Sequence, residues 1–302
     1  ITIVFATFLL FLKNKISERL TFILILSFVF FDLIDVSNRY LDRDLFLKPS
    51  RINRFYKENS ADKQILKDTS HFRVFQPNST MQNARASFFH NSVGGYHGAK
   101  PRRLEQFYKL FLKSKKTSLL DILNVKYVIE EKEGSVNAIE NPNNLGIAWF
   151  VEKIIFEEKP DSIYMNLLKF DLRKTAIIEN KKHDITSYSN ERRISQIELL
   201  KNKPNEKIYK IKSNNSGFVV FSEMFYPGWK AEINNREVEL YKVNFILRGL
   251  FVPKGDNKIK FYFEPTSIKY GSIIQILSII ILVAVIFYSS KKLILNRNRI
   301  TS

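Results

Sequence analysis

A cluster of glycine, aromatic and basic residues between Ser92 and Arg103 offers the clearest chemistry in this sequence. Gly94, Gly95 and Gly98 lie within five residues of one another, in a chain with only 10 glycines. Glycine is used where the backbone takes positive φ or approaches a partner closely. This spacing therefore predicts a tight loop that a ligand can approach.

The side chains of this loop suit an anionic or sugar-phosphate group. Tyr96 is amphipathic, His97 carries an imidazole, and three cations follow within a few residues, just before a predicted helix start. Helix starts and neighbouring cations both favour a bound anion. The alternative is a tight turn that leads into a solvated basic helix. The predicted substrate-binding residues are Gly94, Gly95, Tyr96, His97, Lys100, Arg102 and Arg103.

A second distinctive stretch is Phe225-Tyr-Pro-Gly-Trp-Lys230, in which two aromatic residues flank a Pro-Gly turn. Sugars present C–H faces that stack on aromatic rings, so Tyr226 and Trp229 are candidates for glycan stacking. The other interpretation is that Trp229 fills the core of a β-rich domain. We favour the core for Trp229 and keep glycan stacking as the alternative.

Catalytic and metal-binding patterns are not found in these residues. The four histidines, His71, His90, His97 and His183, show no compact ligand spacing, and there is no cysteine. We therefore predict no metal site and no bound cofactor. No nucleophile elbow, P-loop or dinucleotide fingerprint is present, so no catalytic residue is predicted. Asp32 and Asp35 either act at a membrane edge or mark where a helix leaves the bilayer.

Three apolar runs predict membrane-spanning helices. Residues 1–12 are apolar but shorter than the roughly 20 residues that a span needs, so we interpret them as the end of a truncated transmembrane helix. Residues 20–36 and residues 271–289 are predicted as further transmembrane helices. Lysine and arginine flank these runs on the sides that we therefore assign to the cytoplasm, including the tail at 290–302. Residues 37–270 are then extracytoplasmic.

The charge and the lack of cysteine indicate a bacterial envelope. The chain carries a formal net charge of +18. In a soluble protein this charge would favour nucleic-acid binding, but an extracytoplasmic domain meets anionic lipid or glycopolymer instead. The alternative is an ordinary lysine-rich surface. We predict a protein of the bacterial inner membrane whose partners are the lipid bilayer and an envelope glycan or lipid-linked sugar, with no nucleic acid.

The extracytoplasmic region shows two patterns. The polar residues 37–60 predict a connector, and alternating helical and strand-like stretches over 61–165 predict a small α/β domain. Short β-rich runs between turn signals over 174–265 predict a β-sandwich. The predicted fold class is an α+β membrane protein, with transmembrane helices flanking the α/β domain and the C-terminal β-sandwich.

Within these ranges the sequence makes three further local predictions. Gly134–Asn144 is predicted to be a loop because it is polar and contains glycine and proline. Ala148–Phe156 and Glu237–Tyr241 are each predicted to be a single strand because β-favouring residues dominate them.

Several stretches along the chain share the pattern of a known family. They are Asp32–Asp42, Phe72–Phe75, Ser92–Lys100 with Arg102 and Arg103, Ile122–Val128, Asn141–Pro142, Gly146–Val151, Val220–Lys230, Val243–Arg248 and Val252–Pro253. Through them the chain resembles the C-terminal part of the YfhO family of bacterial membrane proteins, in the form common in Bacteroidetes. The glycine loop and the Tyr-Pro-Gly-Trp stretch are the specific matches. Pro101 departs from the pattern, which has a leucine-like residue there.

The resemblance implies a polytopic membrane protein related to the GT-C glycosyltransferases. Such enzymes take a sugar from a lipid-linked donor, usually based on polyprenyl phosphate, at the outer face of the membrane. Their catalytic acid lies in an early outer loop, so the resemblance places it upstream of these residues. The competing hypothesis is a non-enzymatic, membrane-anchored module that binds envelope glycan or partner proteins. The sugar, the acceptor, the lipid carrier and the oligomeric state are not predicted.

Overall fold

A computed structural model describes residues 2–41, 45–77, 84–96, 98–180 and 195–300. His97 and His183 lie outside the described residues. The chain divides into two compact units, Ile1–Lys57 and Glu58–Ser302, and each is described by itself.

The N-terminal unit is helical. It contains helix α1 at Thr2–Leu12, helix α2 at Glu18–Tyr40 and helix α3 at Pro49–Phe55. Helix α2 begins where the Ser17 hydroxyl accepts a hydrogen bond from the Leu20 N–H at 3.3 Å, which satisfies one free donor of the first turn. By length and composition α2 can cross a membrane. The helix extends beyond the predicted span at 20–36, and α3 also lies in the region predicted to be a connector.

The C-terminal unit combines helices with sheets, in agreement with the predicted α+β class. Its helices are α4 at Ser60–Ile65, α5 at Ala84–Phe89, α6 at Arg102–Ser114, α7 at Ser118–Asp121, α8 at Pro160–Lys169 and α9 at Thr266–Ile300. Its first seven strands are β1 at Arg73–Phe75, β2 at Val125–Lys132, β3 at Ser135–Glu140, β4 at Ala148–Phe150, β5 at Lys153–Glu157, β6 at Thr175–Glu179 and β7 at Ser195–Lys203. The remaining strands are β8 at Glu206–Ser213, β9 at Gly217–Met224, β10 at Trp229–Ile233, β11 at Arg236–Val238, β12 at Tyr241–Val243, β13 at Leu247–Val252 and β14 at Gly255–Phe263.

The strands of the described residues form three sheets. A three-stranded sheet has the order β1-β2-β3, a five-stranded sheet the order β11-β10-β14-β8-β7, and a six-stranded sheet the order β4-β9-β13-β12-β6-β5. Strand β1 runs parallel to β2, and β5 runs parallel to β6. The five-stranded sheet is antiparallel throughout.

Strand β9 shows why the six-stranded sheet is buried on both faces. Phe218 and Val220 belong to an apolar cluster that includes residues of α6, α7 and α8. Val219 and Phe221, at the alternating positions, belong to a second cluster shared with β8, β10 and β14 of the five-stranded sheet. Because neighbouring side chains on a strand point to opposite faces, the unbroken apolar run of β9 is what a strand covered on both sides requires.

The six-stranded sheet curls until its two edges are adjacent. Strands β4 and β5 occupy opposite edges, yet only Val151 and Glu152 separate them in sequence. The Val151 N–H donates to Phe218 O at 3.1 Å, and the Glu152 N–H donates to Lys174 O at 2.8 Å. The predicted single strand at Ala148–Phe156 is therefore wrong, because the backbone changes partner within it.

The six-stranded sheet also takes strands from both predicted domains. Strands β4 and β5 come from the range 61–165, whereas β6, β9, β12 and β13 come from the range 174–265. The predicted strand at Glu237–Tyr241 is divided in the same way. Its first part lies in β11 of the five-stranded sheet, and Tyr241 begins β12 of the six-stranded sheet.

The predicted loop at Gly134–Asn144 is largely a strand. Strand β3 pairs antiparallel with β2, from Lys132 opposite Ser135 onward. Glu133 and Gly134 form the two-residue turn, with φ of 50° and 78°. Positive φ at both central residues matches the right-handed twist of a hairpin. This strand was not predicted because β3 is polar and mostly exposed, whereas the strand predictions relied on runs of β-favouring apolar residues.

Helix α9 contains the predicted C-terminal span. Its segment Thr266–Tyr288 is long and apolar enough to cross a membrane, and none of it is buried against the rest of the chain. The helix runs from Thr266 to Ile300, so it extends past both ends of the predicted span at 271–289 and into the predicted tail.

Gly249 provides a test of the packing of the six-stranded sheet. A Cβ at Gly249 would lie 2.7 Å from Phe218 Cε1 and 2.8 Å from Val219 O. We expect Gly249→Ala to lower the free energy of unfolding by about 1–3 kcal/mol, because a packed core does not accept an extra methyl group without strain. Chemical denaturation of the detergent-solubilised chain measures this change.

Gly98→Ala is the matched control, since a Cβ at Gly98 meets no atom within 4 Å. We expect the control to stay within about 0.5 kcal/mol of the parent protein. Equal stabilities of the two variants would contradict the packing of Phe218 on Gly249.

Candidate functional site

The predicted glycine loop forms one wall of a cavity of about 740 Å³. We call this cavity the glycine-loop pocket. Its loop side is lined by Ser92–Tyr96, Ala99–Pro101, Leu104 and Tyr108, and the facing side by Arg73, Ser87, Leu123, Ser222, Met224, Tyr226, Ile246 and Leu247. Aromatic, apolar and cationic side chains therefore meet in one space.

Hydrogen bonds fix the loop to its neighbours. The Val93 N–H donates to Val74 O of β1 at 3.0 Å, and the buried Tyr108 hydroxyl of α6 donates to Val93 O. Burial raises the pKa of Tyr108 to about 12, so this hydroxyl stays protonated at neutral pH. Both contacts hold the start of the loop against the core.

Gly95 has the backbone conformation that the sequence predicted for this loop. Its φ is +134°, and a Cβ there would lie 2.8 Å from the Ser87 hydroxyl oxygen. The same hydroxyl donates to Gly94 O at 3.2 Å. A side chain at position 95 would therefore be strained and would push against the contact that closes the loop.

The structure separates the three predicted cations. Lys100 lines the glycine-loop pocket, with its Nζ 5.7 Å from the centroid of the Tyr108 ring. Arg102 is exposed at the start of α6 and does not line the pocket. Arg103 donates to Glu179 Oε1 at 2.9 Å and lies over the Phe245 ring. Arg103 thus ties α6 to β6, and Lys100 is the loop cation that faces the cavity.

A second cavity of about 750 Å³ adjoins the first. We call it the buried-charge pocket. It is lined by His71, Arg73, Ser87, His90–Ser92, Asn202–Pro204, Lys207, Glu223, Met224, Tyr226, Trp229 and Arg248. The two pockets share a wall, which consists of Arg73, Ser87, Ser92, Met224 and Tyr226.

One carboxylate faces three cations in the buried-charge pocket. Glu223 Oε1 lies 3.0 Å from Arg73 Nη2 and 3.4 Å from Lys207 Nζ, and Glu223 Oε2 lies 3.6 Å from Arg248 Nη2. The Arg248 side chain is 1% exposed and the Glu223 side chain 11% exposed. Lys207 is also 11% exposed and Arg73 23% exposed, so most of this charge is shielded from water, which weakens the screening of ion pairs.

The pKa values of this cluster follow from burial and charge. Burial by itself raises the pKa of Glu223, but Arg73, Lys207 and Arg248 offset this effect and hold the pKa below its ordinary value. Burial lowers the pKa of Lys207, and the neighbouring Glu223 charge opposes that change. Burial likewise lowers the pKa of His71.

The position of Trp229 is compatible with both predicted roles, packing in the core and stacking on a glycan. The residue packs partly buried against the core cluster between the sheets, and its ring lies 4.3 Å from the Arg248 guanidinium carbon. The same residue lines the buried-charge pocket, beside the half-exposed Tyr226. Gly228 allows this turn, because a Cβ at its φ of +103° would lie 2.8 Å from Pro265 Cβ.

Sequence reasoning missed the four charged residues of the second cavity. Arg73, Glu223 and Arg248 each stand inside a strand that is otherwise apolar, as in Phe218–Phe225 and Phe245–Val252. A charge within a doubly buried strand needs a partner. A charged residue within an apolar strand was therefore the signal in the sequence, although it does not reveal which charges form pairs.

Among the residues that the structure describes, no three His, Asp or Glu side chains come together as metal ligands.

Comparison with known proteins shows a similarity over part of the chain. Residues 157–275 match the model of a family of bacterial membrane proteins. That family is YfhO, so the predicted resemblance is confirmed over this part of the chain. The matched range contains Lys207, Glu223 and Arg248 of the buried-charge pocket, and it ends inside α9.

One curated relative is the uncharacterized protein YfhO of Bacillus subtilis (strain 168). It is 23% identical over 136 residues, which is 44% of this chain and 15% of the relative. The match therefore spans less than a fifth of the relative's length. No solved structure matches the chain.

The lowered pKa of Glu223 leads to a pH-dependence test. A carboxylate with a depressed folded pKa contributes stability above its unfolded pKa, and this contribution is lost as pH falls through the folded value. We expect the chain to lose stability below pH 4.5, the ordinary pKa of this group. Glu223→Gln should cost about 3 kcal/mol at pH 7, because it leaves buried cations without a counter-charge.

Urea unfolding between pH 3 and pH 7, followed by tryptophan fluorescence, compares the parent with Glu223→Gln. The stability difference between them should begin to shrink below pH 4.5, where the carboxylate of the unfolded chain takes up a proton, and should disappear as the pH falls through the lowered pKa of the folded state. Glu152→Gln is the control, because Glu152 is exposed and lies 3.9 Å from Lys174. A difference that is constant over the whole range would show that Glu223 is not the group responsible.

Proposed function

We propose that residues 58–265 form the extracytoplasmic binding part of a glycosyltransferase-like protein of the bacterial envelope. In this proposal the glycine-loop pocket takes the lipid-linked sugar donor or the glycan acceptor. The observation that carries it is the composition of this pocket, in which Tyr96, Lys100 and Tyr226 line a cavity with an apolar wall.

The pocket matches the chemistry of a sugar linked to a lipid phosphate. Tyr96 and Tyr226 are 76% and 50% exposed, so both rings present surface on which a sugar face could stack. Leu104 and Ile246 provide an apolar wall, and Lys100 provides a cation for a phosphate. Few ligands other than a glycolipid combine an apolar part, a sugar face and a negative charge.

Membrane attachment on both sides supports the same proposal. Helix α2 and the Thr266–Tyr288 segment of α9 would cross the inner membrane, and the region between them would lie outside. Lys13 and Lys15 before α2, and the basic residues after Tyr288, favour cytoplasmic flanks. The five-stranded and six-stranded sheets would form the predicted sandwich, close to the extracytoplasmic face of the inner membrane.

A second candidate function is a non-enzymatic module that binds glycan. The observation that favours it is the chemistry of the glycine-loop pocket, which has no acidic side chain among its described lining residues. Glycosyl transfer needs an acid or base near the bond that changes. In both proposals this part of the chain binds, and any catalytic acid lies elsewhere in the protein.

Lys100 and Arg102 allow a test by neighbouring substitutions. We expect Lys100→Ala to reduce modification of envelope glycan about tenfold, because a charged hydrogen bond of roughly 1.4 kcal/mol is lost. Arg102→Ala is the control, since Arg102 is exposed and does not line the cavity. Mass spectrometry of envelope glycans from cells carrying each variant, at equal protein levels, measures the effect.

Equal modification in the two variants would contradict the role of the glycine-loop pocket. Unchanged glycan in a deletion strain, together with direct glycan binding that Lys100→Ala weakens, would favour the non-enzymatic module.

The absence of cysteine from the sequence permits a clean topology test. Lys254 is exposed between β13 and β14, and Lys15 is exposed between α1 and α2. In spheroplasts we expect a membrane-impermeant maleimide to label Lys254→Cys and to leave Lys15→Cys unlabelled until the membrane is opened. Labelling in the reverse order would contradict the proposed orientation.

A further inference from the structure

We infer that the buried-charge pocket is a binding site for a phosphate group. The site consists of Arg73, Lys207 and Arg248 around Glu223, in the cavity of about 750 Å³. This inference concerns a pocket distinct from the one used in the proposed function, and it does not require that the protein transfers sugar.

The first argument is the charge balance. Three cations surround one carboxylate, so the cluster has two positive charges more than Glu223 can neutralise. Buried charge is costly unless it is paired. Arg73 also donates to Ser222 O at 2.6 Å and to Leu123 O at 3.0 Å, but carbonyl groups satisfy donors without cancelling charge. An anion in the adjoining cavity would supply the missing counter-charge.

The second argument is the state of Arg248. Its side chain is 1% exposed, and its Nε and Nη1 have no hydrogen-bond partner in the structure. The rings of Trp229 and Phe261 lie 4.3 Å and 4.5 Å from the guanidinium carbon, so new partners must approach in the guanidinium plane. Buried donors are nearly always satisfied in native proteins. Nε and Nη1 lie on either side of Cδ, so each is a separate donor that an anion would contact in the plane of the guanidinium.

The third argument selects phosphate over a carboxylate. Arg73 comes from the three-stranded sheet, Lys207 from the five-stranded sheet and Arg248 from the six-stranded sheet. Their N–H donors therefore approach the cavity from three different sheets and do not lie in one plane. A tetrahedral phosphate presents oxygens in several directions, whereas a carboxylate presents two in one plane. The cavity also has room for a substituent on the phosphate.

The surroundings of the cluster leave this chemistry intact. His90 Nε2 is paired with Asp62 Oδ1 at 2.9 Å, and His71 Nδ1 lies 3.3 Å from Asn202 Nδ2. Among the described lining residues, Glu223 is the acidic one. The Asp62 carboxylate lies behind His90 and is paired with His90 and Arg85.

Anion binding by the detergent-solubilised chain tests the inference. In a nonionic detergent at constant ionic strength, inorganic phosphate should raise the melting temperature above that in chloride or acetate, because a ligand of the folded state stabilises it. Titration calorimetry gives the dissociation constant. Equal effects of phosphate, acetate and chloride, with no binding of dodecyl phosphate, would overturn the inference.

Two variants that should change phosphate affinity in opposite directions make the test more specific. Lys207→Met should weaken phosphate binding about tenfold, because one charge-assisted contact is lost. Glu223→Gln should strengthen phosphate binding, because it removes the competing carboxylate. Lys242→Met is the matched control, since Lys242 is a partly buried lysine paired with Glu179 at 2.9 Å and does not line the cavity. If Lys207→Met and Lys242→Met had the same effect, the assignment of this pocket would be wrong.

Free phosphate and a lipid phosphate share this chemistry, so a second titration distinguishes between these two ligands. Dodecyl phosphate is titrated beside inorganic phosphate. Binding of both assigns the phosphate group itself, and binding of dodecyl phosphate alone assigns a lipid phosphate; both results support the site if Lys207→Met weakens them. Glycan modification is scored separately. Unchanged modification in Lys100→Ala together with intact phosphate binding rejects the proposed function alone. Reduced modification in Lys100→Ala without any phosphate binding rejects this inference alone.

Discussion

The ion pairing of Glu223 is the interaction on which the arrangement of this domain depends. Its carboxylate contacts Arg73 of the three-stranded sheet, Lys207 of the five-stranded sheet and Arg248 of the six-stranded sheet. The three sheets therefore meet at one buried negative charge. Because removal of one partner leaves uncompensated buried charge, the cluster penalises arrangements that separate these strands. The same constraint places both cavities beside the cluster.

Burial on both faces of the six-stranded sheet explains why most of that charge is shielded from solvent. Strand β9 alternates its side chains between the cluster that includes α6 and the cluster shared with the five-stranded sheet. Glu223 and Ser222 lie near the end of this strand, where the apolar cover gives way to the cavities. Within β9, the buried apolar residues Phe218–Phe221 are thus followed almost directly by Glu223, which lines the buried-charge pocket. Such an edge is where a ligand reaches groups that the fold has already oriented.

Local sequence was sufficient wherever a few neighbouring residues decide the conformation. The glycine loop, the start of α6 near Pro101 and the apolar helices α2 and α9 all follow from short stretches with strong preferences. Pattern reasoning failed where pairing at a distance decides. The exposed β3 forms because β2 offers it an edge, and the run at Ala148–Phe156 divides because the curled sheet presents two different partners.

The sequence by itself determined the candidate loop, the predicted spans, the net charge of +18 and the resemblance to YfhO. Only the tertiary structure decided which charges act together. Arg73 and Glu223 are 150 residues apart, and no local pattern encodes their contact. The structure likewise placed Lys100 at the cavity and turned Arg103 toward Glu179. The physical reason is that propensity and spacing act over a few residues, whereas ion pairing depends on distances that exist only after the sheets have formed.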